Sequence, residues 1–419
     1  MAWVSLGLLS PLPTQAADWP GWRGPLRDGH AAVGVPTLTR LPAEPRRVWR
    51  LKIGDGLASP VVVGPRVYYL DAQETKETVH AIDRETAVEA WKVTLDDGFK
   101  NGQTAPGPRC TPLVDGDRIY VQSCRGELQC RRLIDGQMVW RVNYLRDFQS
   151  STPAEAGVNK GAHRHGFTAA PWVEGHRLVA LVGDIHGAGV VCFDKLTGKV
   201  LWKSQNDRAA NAAPIVTRLH ASSLDQLVAF TVEGLIGLKL DDGELLWRVP
   251  LTTTYGRHVM TPVVVDGIVM VASKEENLIG VAPAMDADRR QWMAPMVWEA
   301  KGVLVNFSSP VAAGKHLYGL GPERNLFCVD ARNGALKWSK DGFATQSAEK
   351  SHLALIAIGE NLLALTETGE LVLVAADPTG YRELGRTQAC GSNWCNPAYV
   401  DGRLYLRDSK ELICLQLAP

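Results

Sequence analysis

The chain has no excess of charge of either sign: 45 Lys and Arg stand against 45 Asp and Glu among its 419 residues, and no basic run or acidic tail breaks the balance. Affinity for a polyanion comes mainly from phosphate neutralisation, so nucleic acid is not an expected partner. Beyond the first dozen residues no apolar stretch approaches the ~18 to 20 residues of a membrane span, and none is expected. No CxxC pair or Cys/His quartet occurs, which argues against structural zinc. Nor is there a Gly-x-Ser-x-Gly elbow or a glycine loop of the phosphate-cradling kind, so serine hydrolysis and nucleotide binding have no support.

What is present is repetition. A tryptophan returns four residues after a glycine-centred turn at Gly136 to Trp140, Gly198 to Trp202, Gly243 to Trp247 and Gly334 to Trp338, and Asp83 leads likewise to Trp91. Each unit opens with a small or polar residue, a proline and a short β-branched run, at Pro60, Pro112, Pro171, Pro214, Pro262, Pro310, about Leu353 and Pro397. A strand-and-turn period of about 40 to 60 residues signifies a propeller or solenoid. Asp-Gly and kindred pairs supply the positive φ that tight hairpins require, so the fold class is all-β: an eight-bladed β-propeller of four-stranded antiparallel blades. The eighth unit ends at Leu412–Leu417 without an outer strand, and Val48–Ile53 is an outer strand without a blade. Pairing them closes the ring and removes the open edge.

The expected organisation is 1–17 as the remnant of a signal peptide, 18–47 as an N-terminal arm packed on the ring, and 48–419 as the propeller. Residues 3–9 supply an apolar core and Thr14–Ala17 a small-residue cleavage site, the pattern of an exported chain. The docking side chains are Trp49, Trp91, Trp140, Trp202, Trp247, Trp298 and Trp338, each buried between blades with its indole N–H on a carbonyl. Trp292 competes with Trp298 in the fifth unit, where Trp298 is preferred because it leads directly into the next loop. The seventh unit has Glu383-Leu384-Gly385 where a tryptophan belongs, so its interface should be weaker. Cys130, Cys192, Cys328 and Cys414 share one register of the repeat, which is a packing position. Pairing among Cys110, Cys124, Cys390 and Cys395 stays open.

Cys192-Phe193-Asp194-Lys195-Leu196-Thr197-Gly198-Lys199-Val200-Leu201-Trp202 resembles the tryptophan-docking repeat of the pyrroloquinoline quinone-dependent alcohol dehydrogenases. The outer-membrane assembly lipoprotein and many exported bacterial propellers share that repeat. Ala81-Ile82-Asp83-Arg84-Glu85-Thr86 with Trp91 matches it too, with Ala87 in place of the glycine. The resemblance implies the eight-bladed fold; it does not by itself imply a quinone.

Loops leading into the innermost strands converge on one channel mouth. They carry Gln103, Arg109, His163, His165, Arg208, Asn211, Arg257, His258, Asn306, His352, Asn393 and Trp394, a mixed polar funnel suited to a protein partner or a small polar ligand. The first reading is therefore an exported, periplasmic or extracellular, monomeric binding or scaffold protein with no cofactor. The second is a divergent quinoprotein dehydrogenase. The resemblance then implies quinone in the funnel, covered by adjacent cysteines and a tryptophan, with calcium on acidic and amide side chains and an aspartate base. No two cysteines are adjacent here, and the funnel loops hold few carboxylates. A metal on His163, His165 and His258 is the weakest reading, since no carboxylate or third fixed partner accompanies them.

Overall fold

The computed structural model describes residues 18–100, 106–150, 165–219, 224–286, 288, 290–321, 323–344 and 351–418. Among these, eight four-stranded antiparallel sheets form an eight-bladed propeller. The innermost strands are Val61–Val63, Leu113–Asp115, Trp172–Glu174, Ile215–Arg218, Val263–Val265, Val311–Ala313, Leu353–Ile358 and Ala398–Val400. Blade eight takes its outer strand from Arg46–Lys52, which pairs with Glu411–Gln416 so that Trp49 faces Cys414 and Arg50 faces Ile413. The seam is reinforced from both sides. Arg84 Nη2 donates to Asp401 at 2.9 Å, and Arg403 Nη1 reaches both oxygens of Glu85 at 2.7 Å.

A single cross-strand row explains the recurring residues. In seven blades the tryptophan of the outer strand pairs with a small residue on the third strand: Ala81, Cys130, Cys192, Gly237, Gly280, Cys328 or Cys414. In four of these blades a tyrosine continues the row on the second strand, its ring about 6 Å from the indole. A small side chain between two large ones lets the rings close over it, which is why cysteine recurs there. All eight cysteines are free thiols, including Cys390 and Cys395.

Each indole reaches the next blade. Trp49, Trp91, Trp140, Trp202, Trp298 and Trp338 donate from Nε1 to the carbonyls of Arg84, Leu133, Lys195, Leu240, Ala331 and Asp377. Beneath four of them lies the turn glycine of that neighbour: Gly136, Gly198, Gly243 and Gly334 would each place a Cβ 2.6–2.7 Å from the ring. Burial on the order of 150–250 Å² per ring is worth about 4–6 kcal/mol gross.

Trp247 departs from this pattern. It donates to Gln226 Oε1 in its own blade, because blade five replaces the tight turn with an inserted hairpin, Ala284–Asp286 and Gln291–Met293. Trp292 belongs to that hairpin and packs with the cluster around Trp247, whereas Trp298 spans the interface to blade six.

The segment 18–45 enters the channel and contacts nearly every blade. Trp19 bridges to Val62 in blade one, and Pro20 accepts from Val114 in blade two. Arg27 Nη1 donates to Pro171 in blade three, and Trp22 Nε1 to Thr261 Oγ1 beside blade five. Arg23 donates to Ser309 and Pro310 in blade six, and Gly29 and Ala31 exchange backbone bonds with Ala357 in blade seven. The chain then runs outward across blades seven and eight, where Leu38 is buried, Asn361 Nδ2 donates to the Leu38 carbonyl, and Tyr399 OH donates to that of Pro36.

Candidate functional site

The funnel is built from the loops that precede the innermost strands. The proline opening most of those strands has no N–H to donate, so the loops are tied to one another instead. Ser309 Oγ accepts from Thr261 N, Ser308 Oγ from Leu353 N, and Ser59 Oγ from Asn396 N. Arg109 Nη1 donates to the His165 carbonyl at 2.7 Å, Asn211 Nδ2 to Thr168 Oγ1 at 2.8 Å, and Asn211 N to the His258 carbonyl.

These bonds sort the sequence-derived residues. Arg109, His165 and Asn211 join adjacent loops, and the Arg109 guanidinium lies over Phe99. Asn393 is buried and holds its own loop, its side chain bonding to the Cys395 backbone in both directions. Arg208 engages Glu233. Gln103 and His163 lie outside the described residues.

His258 is fully buried, stacked on Phe230 at 4.0 Å, and its Nδ1 donates to the Thr231 carbonyl at 2.6 Å. That bond puts the ring hydrogen on Nδ1, and burial pushes the imidazole down to about 4, so it is neutral. His352 is likewise pushed down to about 4 by burial. Asn306 is buried, and among the described residues neither atom of its amide has a partner.

An aromatic and cationic patch, Tyr255, Arg257, Phe307 and Trp394, is exposed or half-exposed and is backed by the buried His352. The Arg257 guanidinium lies 5.6 Å from the Tyr255 ring and 5.3 Å from Phe307. Phe307 meets Trp394 edge-on at 5.2 Å, and Trp394 meets His352 at 5.8 Å. The row thus joins loops of blades five to eight, and Tyr255 is 43% exposed. A cleft of about 220 Å³ continues it beside Trp394, between Asp55–Leu57 and Asp408–Ser409. Tyr255 and Phe307 were not singled out from the sequence, although both sit within two residues of one that was.

The floor of the funnel is Trp22 of the arm, packed against Cys110, Ala170 and Ala213 at the starts of blades two to four. The Trp22 indole reaches from there to Thr261 beside blade five, and among the described residues no cluster of three His, Cys, Asp or Glu side chains could hold a metal ion. Among the described residues Glu77 is the one carboxyl with a strongly raised pKa, brought to about 8 by burial. Its Oε2 accepts from Cys124 N, so it lies under the loops and not in the mouth. Among the described residues no helix is long and apolar enough to cross a membrane.

Comparison with known proteins agrees with the geometry. The chain is 26% identical over 170 residues to the outer membrane protein assembly factor BamB of Burkholderia pseudomallei strain K96243, a match covering 35% of this chain and 43% of that protein. It therefore spans less than half of that relative's length. Among solved structures, BamB from Moraxella catarrhalis superposes with a TM-score of 0.60 at 14% identity, covering 89% of this chain and all of that one. The quinohemoprotein alcohol dehydrogenase ADHIIG from Pseudomonas putida HK5 gives 0.63 at 12% identity, covering 96% and 80%. At such identities these two likenesses show the fold alone. Residues 17–162 and 75–340 match the family described as "Outer membrane protein assembly factor BamB", and together they take in well over half of the sequence: the chain belongs to that family of PQQ-like propellers.

Proposed function

We propose that this protein is an exported, non-catalytic scaffold that binds a protein partner on the funnel face, in the manner the name of its relatives suggests for outer-membrane protein assembly. The supporting observation is the row Tyr255, Arg257, Phe307 and Trp394, backed by the buried His352, on four neighbouring loops. Tryptophan, tyrosine and arginine are the residue types that dominate protein interfaces. A guanidinium held between two rings offers a cation and two apolar faces to one peptide.

Photo-crosslinking tests this. A benzophenone amino acid placed at Tyr255 should yield an adduct with a discrete partner in the native host, and one at Glu360, an exposed turn of blade seven at the opposite mouth, should not. The Arg257→Ala and Trp394→Ala variants should lose the adduct while keeping their melting temperature. Adducts from position 360 alone would overturn the assignment of the face. Export predicts that protein isolated from cells begins at Asp18.

A further inference from the structure

The channel holds a second cavity at the mouth away from the funnel loops. The arm and the innermost strands of blades three to six enclose about 320 Å³, with Arg23, Arg27, Trp172, Ile215, Thr217 and Val264 among the lining. That is at the lower end of the size range of small-molecule sites, about 300–1,000 Å³.

Two guanidiniums are buried in its wall, Arg23 at 4% and Arg27 at 8% exposure. Arg23 donates from Nη1 and Nη2 to three backbone carbonyls, those of Asp28, Ser309 and Pro310, while its Nε is buried without a partner among the described residues. The Asp28 carboxylate lies near enough to act on its charge. Arg27 is less provided for. Its Nη1 donates to the Pro171 carbonyl at 2.6 Å and its plane lies 4.6 Å from the Trp172 ring centre. Among the described residues neither its Nε nor its Nη2 meets an acceptor, and no carboxylate comes within ion-pair distance. Glu174 supplies only a more distant field from the exposed rim, where it accepts from Trp172 Nε1 at 3.4 Å. Burial lowers the Arg27 pKa to about 10, which leaves it charged at neutral pH.

A largely buried cation without a close counter-charge is costly to hold, and its Nε–Nη2 edge, which keeps contact with solvent, is the one that receives a carboxylate through two parallel hydrogen bonds. Ile215, Val263 and Val264 give the cavity an apolar side, with the Trp172 ring as one wall, while Asp28, His30 and Thr217 supply polar groups elsewhere in the lining. We propose that this cavity binds a small carboxylate with a compact apolar or aromatic body, its two oxygens on Arg27 Nε and Nη2 and its body against Ile215, Val264 and Trp172. The arm is then part of a binding site as well as a plug, and the site is separate from the funnel face.

Calorimetric titration of the full chain with benzoate, and with neutral benzamide as its isostere, tests the idea. Benzoate should bind and benzamide should bind at least ten-fold more weakly. Arg27→Gln should weaken benzoate at least ten-fold. Thr217→Trp fills the cavity from its open side without touching a guanidinium and should do the same, so the test survives if Arg27→Gln fails to fold. Arg257→Ala, on the funnel face, should leave benzoate binding unchanged, which keeps failure here distinct from failure of the scaffold reading. No benzoate binding, equal binding of benzamide, or unaltered affinity in Thr217→Trp would overturn the proposal.

Discussion

Leu41 of the arm lies over Gly385 of blade seven, its Cβ 3.2 Å from where a Cβ on that glycine would stand. Gly385 pairs with Leu373 at the register where the other blades pair tryptophan with a small residue. Blade seven has exchanged the sizes of the two partners, and the arm covers the space an indole would fill. The interface expected to be weak is thus supported from outside the repeat. Leu41 is half-buried, so Leu41→Ala should cost about 1–2 kcal/mol, less than the ~2–5 of a fully buried leucine. Urea denaturation would measure it; an unchanged midpoint would show that the arm lends blade seven nothing.

The turn glycines divide into two kinds. Gly198 has φ +71 and a substituted Cβ would meet Trp140 at 2.7 Å, whereas Gly116 has φ +58 with open space around it. Gly116→Ala should cost only the backbone strain, ~1 kcal/mol. Gly198→Ala should cost about 2–4 kcal/mol, because overpacking adds to that strain. Equal losses in the two variants would mean that the indole yields freely.

Stability should fall on the acid side. His258 and His352 are held at about 4 by burial, below their ordinary 6.5. The unfolded chain takes up protons first, so stability is full above pH 6.5 and declines as pH drops toward 4. Each can account for up to ~3 kcal/mol. His352→Gln should flatten that slope in denaturation measured between pH 7 and 4.5; an unchanged slope would acquit the histidine. Glu77 works in the opposite sense. Its folded pKa is raised to about 8, so its contribution is present below about 4.5 and is lost as pH rises through 8. Glu77→Gln should remove that decline between about pH 4.5 and 8.

Adding pyrroloquinoline quinone and calcium should produce no stoichiometric chromophore and no dye-linked alcohol oxidation, since Trp22 packs against the starts of blades two to four and bonds Thr261 beside blade five, at the base of the funnel. A saturable quinone spectrum would place the protein among the dehydrogenases instead.

The ring was legible because its signals are local. Turn glycines and the tryptophans after them are fixed by short-range geometry, and Trp49 could be assigned to blade eight because one strand was missing there and one was spare. The register shared by four cysteines was legible too, although its cause, the indole lying across the strand, needed the structure. The site was less so. Arg109, Asn211 and Asn393 sit where the loops converge, but which polar group meets another loop depends on contacts between distant residues. The arm was harder still. Arg23, Arg27 and Leu41 carry no periodicity, and their partners are carbonyls and a glycine, which leave no mark in side-chain chemistry.

One consequence concerns the order of assembly. Arg46–Lys52 can find its partner only when Glu411–Gln416 is in place, and the arm can thread an axis only when blades surround it. Both segments leave the ribosome before the strands they join and must therefore wait for them, exposed to proteases and to wrong neighbours. Such long-range closure slows folding, and it makes Trp49 and Cys414 report the same unfolding event.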